Sequence, residues 1–174
     1  MATGAYTEYR RFGFFSERAA LLRERYPSAR TVLVVGCGPG YLVDELRRAG
    51  VDAWGIDPAP DALAPRIADR IVTGDAARRG DLERLAPLDQ GGRFDLAVTE
   101  DVLPCLSAQK RTALLRAVRR HADALLHIVT PGDPGDPAKL PGVDWKRIAG
   151  PGSWRAVLGP GEPILNAENW EVAE

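Results

Sequence analysis

From residue 31 to residue 130, short apolar runs alternate with stretches where apolar positions recur every three or four residues. Short apolar runs bounded by turn residues read as buried strands, and the longer recurrence reads as amphipathic helix. Residues 31–35, 52–56, 70–73, 94–99 and 124–130 are the predicted strands. Residues 41–49 predict a helix with Leu42, Val43 and Leu46 on one face and Gly50 as its stop. A weak helix containing Pro65 is expected over 61–68, and a short one over 81–85 ahead of the turn Gln90-Gly91-Gly92. Ser107 caps the most regular helix, 108–121, while Ser16 caps a helix that runs to Arg25 and is ended by Tyr26-Pro27. Strands alternating with helices describe an α/β, Rossmann-like doubly wound domain, its mostly parallel sheet carrying helices on both faces. Right-handed crossovers bring the carboxyl ends of these strands to one edge.

The flanks break the pattern. Residues 1–15 are irregular and aromatic, with Tyr6, Tyr9, Phe12, Phe14 and Phe15. Residues 131–161 are crowded with proline and glycine, which disfavours regular elements. Residues 153–158 are expected to form a short late helix, and 164–165 and 170–172 abbreviated strands. The chain thus reads as a single domain: an amino-terminal flap and helix (1–29), a core (30–131) and an irregular carboxyl-terminal region (132–174).

With 174 residues, 45% hydrophobic and 27% charged, the chain is large enough for one domain with a substantial core. No apolar run is long enough to span a membrane and the amino terminus lacks a signal-peptide pattern, so a cytoplasmic protein is expected. A formal charge of -1 gives no general polyanion-binding character. Cys37 and Cys105 have neither zinc nor redox spacing and read as reduced packing residues, and no metal site is expected.

The candidate chemistry lies where the first predicted strand meets its helix, in Gly36-Cys37-Gly38-Pro39-Gly40-Tyr41, followed by Gly55-Ile56-Asp57-Pro58. Glycines let the backbone turn sharply and approach a ligand closely. Asp57 follows roughly 20 residues later, the spacing at which an acid meets ribose hydroxyls. The dinucleotide fingerprint needs a small residue at the sixth position, where this chain has Tyr41, which argues against a nicotinamide or flavin dinucleotide. No Lys-Ser or Lys-Thr pair follows the glycines, so the phosphate loop of nucleotide hydrolases is absent.

The register Gly36, Gly38, Gly40 resembles the G-x-G-x-G motif of class I S-adenosylmethionine (SAM)-dependent methyltransferases, firmly over residues 30–131 and loosely beyond. The resemblance implies a cofactor site made by Gly36, Cys37, Gly38, Gly40, Tyr41, Asp57, Pro58, Asp75, Ala76 and Glu100. In it Asp57 accepts from the ribose hydroxyls, or alternatively caps the segment starting at Pro58. Asp75 accepts from the adenine amino group, or is a turn aspartate bonding its own backbone. Glu100 or Asp101 flanks the methionine portion and the acceptor, or solvates the loop. Asp61 is the better cap for the segment after Pro58.

No catalytic residue is assigned. A sulfonium is already activated, so methyl transfer asks for in-line approach and exclusion of water, and for a base only when the acceptor proton has a high pKa. The Asn-Pro-Pro-Tyr type of signature is missing after the fourth strand, and Pro104-Cys105 does not replace it. His121 falls at a helix end, where a cation complements the dipole, and His127 reads as a core residue. Lys110, Arg111, Arg116, Arg119 and Arg120 form either a nucleic-acid patch or a solvated face opposite Leu114, Leu115 and Val118; the overall charge balance favours the solvated face. Trp145, Trp154 and Trp170 line an acceptor pocket or pack a satellite core, and Tyr6-Thr7-Glu8-Tyr9 resembles a flap over the cofactor. The function the resemblance implies is SAM-dependent methyl transfer to a small-molecule acceptor, with S-adenosylhomocysteine (SAH) as product and no membrane partner. The alternatives are an RNA or peptide acceptor, or a SAM- or SAH-binding protein that is not a methyltransferase.

Overall fold

The computed structural model describes residues 14–60, 65–100, 102–103, 106–128, 154–155 and 165–168. Helix α1 (Phe14–Arg25) leads into strand β1 (Thr31–Val35), helix α2 (Tyr41–Arg48) and strand β2 (Asp52–Asp57). A 3₁₀ turn (Pro65–Arg70) enters β3 (Ile71–Thr73), and a second (Leu82–Arg84) precedes the short helix α3 (Ala86–Asp89). Then come β4 (Phe94–Glu100), α4 (Ala108–His121), β5 (Ala122–Ile128), β6 (Trp154–Arg155) and β7 (Leu165–Glu168). The sheet order is β3-β2-β1-β4-β5-β7-β6. The first five strands are parallel, β7 runs antiparallel to β5, and β6 runs antiparallel to β7.

The period-2 alternation of strand side chains divides the core into two layers. Leu33, Val35, Trp54, Ile56, Ala97 and Leu125 point to the face covered by the second 3₁₀ turn, α3 and α4. Val32, Val34, Ala53, Leu96, Val98 and Leu126 point to the face covered by α1 and α2. Residues Val32 to Val35 are all buried, as a central parallel strand with both faces covered requires. Helix α1 contributes Phe15, Ala19 and Leu22, spaced four and three apart on one stripe. Leu114, Leu115, Ala117 and Val118 do the same for α4.

Helix ends follow local chemistry. Gly40 sits at the amino end of α2 with φ +79°, and Gly50, just past its end, has φ +84°. Ser107 caps α4, its hydroxyl accepting from the Lys110 N–H at 3.4 Å. Helix α1 starts at Phe14, so Ser16 lies in its first turn and is not its cap. The weak helix expected over 61–68 is the 3₁₀ turn Pro65–Arg70, which opens on proline at the position where the missing N–H costs nothing; Asp61 lies outside the described residues.

Within the late helix expected over 153–158, Trp154–Arg155 is instead strand β6, with Trp154 opposite Ala167 and Arg155 opposite Asn166, while 153 and 156–158 lie outside the described residues. β7 offers Trp154–Arg155 a strand edge, and an aromatic residue is suited to pairing there. The expected strand at 164–165 overlaps β7. Residues 170–172, the prolines and glycines of 131–153, Trp145, Trp170 and the stretch Tyr6–Tyr9 lie outside the described residues.

Candidate functional site

β1 and β4 are neighbours from which the chain winds in opposite directions, to β2 and β3 on one side and to β5 on the other. The crevice beyond the carboxyl ends at such a switch point is where ligands bind in open α/β sheets. Backbone bonds tie the strand ends there into a row. The Gly36 and Cys37 N–H groups donate to the Ile56 carbonyl at 2.8 and 3.3 Å, and the Gly74 N–H donates to the Asp57 carbonyl at 2.9 Å. The sequence-derived residues of β1, β2 and β3 are therefore adjacent.

Each glycine of the loop answers a different demand. Gly36 has φ +72°, and a Cβ placed on it would lie 2.2 Å from Val102 Cγ2, so the loop packs closely under the segment that follows β4. Gly38 has φ +50° with nothing within 4 Å of where a Cβ would be, so this part of the loop faces open space. A left-handed, open backbone at the switch point is the surface a ligand can approach without side-chain interference. Cys37 turns the other way, its sulfur so close to Gly55 that a Cβ there would meet it at 2.7 Å. Burial, and secondarily the Asp57 charge, push the Cys37 thiol far above its ordinary pKa. Tyr41, first residue of α2, sets its ring 5.6 Å from that of Phe15.

Asp57 closes β2 half-buried, accepting from the Gly38 N–H at Oδ2 (2.9 Å) and from the Ala59 N–H at Oδ1 (2.8 Å). The second bond is the turn-capping role weighed from the sequence; the first joins the acid to the glycine loop. A carboxylate has about four acceptor positions, so each oxygen keeps capacity for a hydroxyl. Pro58 beside it is exposed. Asp75 follows β3 and accepts from the Ala77 N–H at Oδ1 (2.9 Å), the turn role foreseen for it, while Oδ2 lies 3.5 Å from Lys110 Nζ. The Asp75 N–H in turn donates to Asp81 Oδ2 at 2.9 Å, and Ala76 is buried. Glu100 ends β4 opposite Ile128, next to the buried Thr99. Asp101, Pro104 and Cys105 lie outside the described residues.

Two residues near the site behave otherwise than their sequence context suggests. By its sequence context Arg111 belongs to a solvated basic face, yet it is buried, and its Nε donates to the Leu103 carbonyl at 2.8 Å. That bond fastens the segment after β4 to α4. Lys110, Arg116, Arg119 and Arg120 are exposed. Asp44 is buried within α2 and accepts from Arg66, Nε to Oδ1 at 2.7 Å and a second bond to Oδ2, joining α2 to the 3₁₀ turn before β3. The signal for Asp44 was its place amid Leu42, Val43 and Leu46 on a helix that buries that side. The signal for Arg111 was a cation in the first turn of a helix, where the dipole favours an anion. His121 closes α4 with Nε2 3.4 Å from Glu83 Oε1, and His127 lies in β5 opposite Thr99, on the strand and not in a loop. Among the described residues no group of three or more His, Cys, Asp or Glu is placed to hold a metal ion, and no helix is long and apolar enough to cross a membrane.

A ubiquinone biosynthesis O-methyltransferase of Azorhizobium caulinodans is 39% identical over 74 residues, 41% of this chain and 28% of that protein. The SAM-bound magnesium protoporphyrin IX methyltransferase of Synechocystis PCC 6803 superposes with a TM-score of 0.58 at 19% identity, over 88% of this chain and 75% of that one. SAM-bound CalS10, an amino pentose methyltransferase from Micromonospora echinaspora, gives a TM-score of 0.54 at 23% identity, over 71% of this chain and 54% of that one. At these identities the structural likeness speaks for the fold, and the match to the curated relative spans little more than a quarter of it. A family profile described as a methyltransferase domain matches residues 33–124, just over half of the chain. This protein belongs to that methyltransferase-domain family and has its Rossmann-like, class I fold.

Proposed function

We propose that this chain binds SAM at the switch-point crevice and transfers its methyl group to a small-molecule acceptor. The observation that carries the reading is the 2.9 Å bond from the Gly38 N–H to Asp57 Oδ2, which sets a bidentate acid beside an open, left-handed glycine backbone. The donor and acceptor set fits an adenosyl group. Asp57 has acceptor capacity for two ribose hydroxyls, Asp75 and Ala76 stand at the next strand end for the purine, and the 36–40 loop leaves room for the amino-acid chain. Tyr41 directly follows the glycine loop and the exposed Pro58 directly follows Asp57, so both adjoin this space along the chain. Glu100 ends β4 at the carboxyl edge of the sheet, the edge that Asp57 and Asp75 share.

When bound, SAM supplies a sulfonium-activated methyl group, so the chain's own work is positioning. Asp57 and the glycine loop fix the adenosyl end, and the segment held by Arg111 and packed against Gly36 through Val102 forms the far wall. An acceptor held in line gains from lost translational freedom and from exclusion of water, without a catalytic dyad. The small-molecule class is supported by the relatives, whose names place them on a ubiquinone precursor route, an amino pentose and magnesium protoporphyrin IX.

The test is methyl transfer from labelled SAM into a metabolite extract, into RNA and into peptides, run side by side. Label in a low-molecular-weight product supports the reading. Label confined to RNA or peptide overturns the acceptor class, and binding of SAM without transfer to any pool overturns the enzymatic assignment.

A further inference from the structure

Helix α4 opens against the usual electrostatics of a helix. Its first turn carries Lys110 and Arg111 and no acid, although the unsatisfied N–H groups there favour negative charge. A local rule broken in this way points to a gain elsewhere. For Arg111 the gain is the Leu103 carbonyl. For Lys110 the partner is Asp75, 35 positions away in sequence, with Nζ 3.5 Å from Oδ2. Lys110 is exposed at 60% and Asp75 half-buried at 36%, so the pair adds little to stability.

Both ends of that contact are held firmly. Asp75 is fixed by two neighbours: its N–H donates to Asp81 Oδ2 and its Oδ1 accepts from the Ala77 N–H; the preceding Gly74 packs so closely on Asp81 that a Cβ would meet it at 3.1 Å. Lys110 rises from a helix fixed by the Ser107 cap, the Arg111 bond and the buried Leu114, Leu115 and Val118. At its far end the same helix meets the same segment again, through His121 and Glu83.

We propose that Lys110 is a positioning residue that sets purine selectivity. It holds Asp75 Oδ2 at the sheet edge as an acceptor, so that the site takes a 6-amino purine and rejects a 6-oxo purine. With Oδ1 committed to Ala77, Oδ2 is the oxygen with capacity to spare. An ionised carboxylate is acceptor-only: it takes an N–H from an exocyclic amine and repels a carbonyl in the same place. Without the ammonium opposite it, the Asp75 side chain is fixed at one oxygen only and turns more freely. The inference rests on the adenosyl reading of the site.

The experiment measures Kd for SAH and for its 6-oxo analogue, S-inosylhomocysteine, with the wild type, Lys110→Met and Lys110→Arg. The expected result is SAH favoured by about 30-fold or more in the wild type, the order of one buried polar mismatch. Lys110→Met is expected to weaken SAH about tenfold and leave the inosyl compound nearly unchanged, collapsing the ratio, while Lys110→Arg keeps most of it. A ratio unchanged in Lys110→Met, or an equal loss for both ligands, overturns the role given to Lys110 while leaving the adenosyl site standing. Failure of the wild type to bind SAH overturns the site reading itself, and this proposal with it.

Discussion

The Gly38 N–H donates to Asp57 Oδ2 at 2.9 Å, so the loop after β1 and the acid that ends β2 form one unit across 19 positions of sequence. Asp57 therefore serves the loop as well as any ligand, since it also holds the turn at Ala59. Replacing it by alanine removes a ribose acceptor and releases the loop together. Asp57→Ala is expected to weaken SAM and SAH by about 1–3 kcal/mol, roughly five- to 150-fold in Kd. Titration calorimetry checks this, and unchanged affinity would place the ribose elsewhere.

The glycine loop separates two kinds of constraint that a single substitution series can tell apart. Gly36→Ala meets both a positive φ and the Val102 methyl, whereas Gly38→Ala meets only the positive φ. The first is expected to cost about 2–4 kcal/mol of stability and the second about 1–2 kcal/mol. Adding Val102→Ala is expected to recover part of the Gly36→Ala loss, because the overlap goes and the backbone strain stays. Urea unfolding of the wild type and these three variants reads the differences; equal losses at Gly36 and Gly38 would contradict the packing described.

On the opposite edge of the sheet, Asp95 joins β4 to the start of β1. Partial burial opposes its charge, but N–H bonds from Thr31 and Arg30, the Thr31 hydroxyl and the Arg30 charge together outweigh burial and hold its pKa below the ordinary carboxylate value. A depressed folded-state pKa contributes stability above the unfolded value of about 3.9 and loses it as pH falls through the lower folded value. Solvent screens this exposed carboxylate, so wild type is expected to exceed Asp95→Asn by less than about 1 kcal/mol at pH 6, with the gap closing in acid below pH 4. A gap that stays constant from pH 6 to pH 2.5 would contradict this.

Cys37 sits in the loop but faces inward against Gly55, and burial drives its thiol pKa upward. Thiolate is the reactive form, so alkylation of Cys37 in the native protein at pH 8 is expected to be far slower than in urea. Peptide mapping after a timed iodoacetamide pulse measures it. Comparable native and unfolded rates would show the sulfur facing solvent.

The parallel core was legible because each of its signals is local. Val32 to Val35 as an apolar run, the Gly36-Gly38-Gly40 register, Asp57 at the strand end and Ser107 before α4 each state one rule plainly. What stayed hidden depends on partners distant in sequence. Arg111 looks like any surface arginine until Leu103 comes beneath it, and Asp44 looks like a helix-face acid until Arg66 closes on it. Trp154–Arg155 pairs as a strand because β7 offers an edge, which nothing within 153–158 announces. Asp57 and Asp75 could be placed at strand ends from sequence, but their bonds to the Gly38, Ala59 and Ala77 backbones required the folded chain.

Calorimetric titration of the purified chain with SAM, SAH and NAD tests the central claim most directly. Saturable heat with SAM and SAH at one site per chain, and none with NAD, is the result expected of this loop and its acids. No heat with SAM or SAH, or binding of NAD in their place, would contradict the cofactor assignment on which the proposed methyl transfer depends.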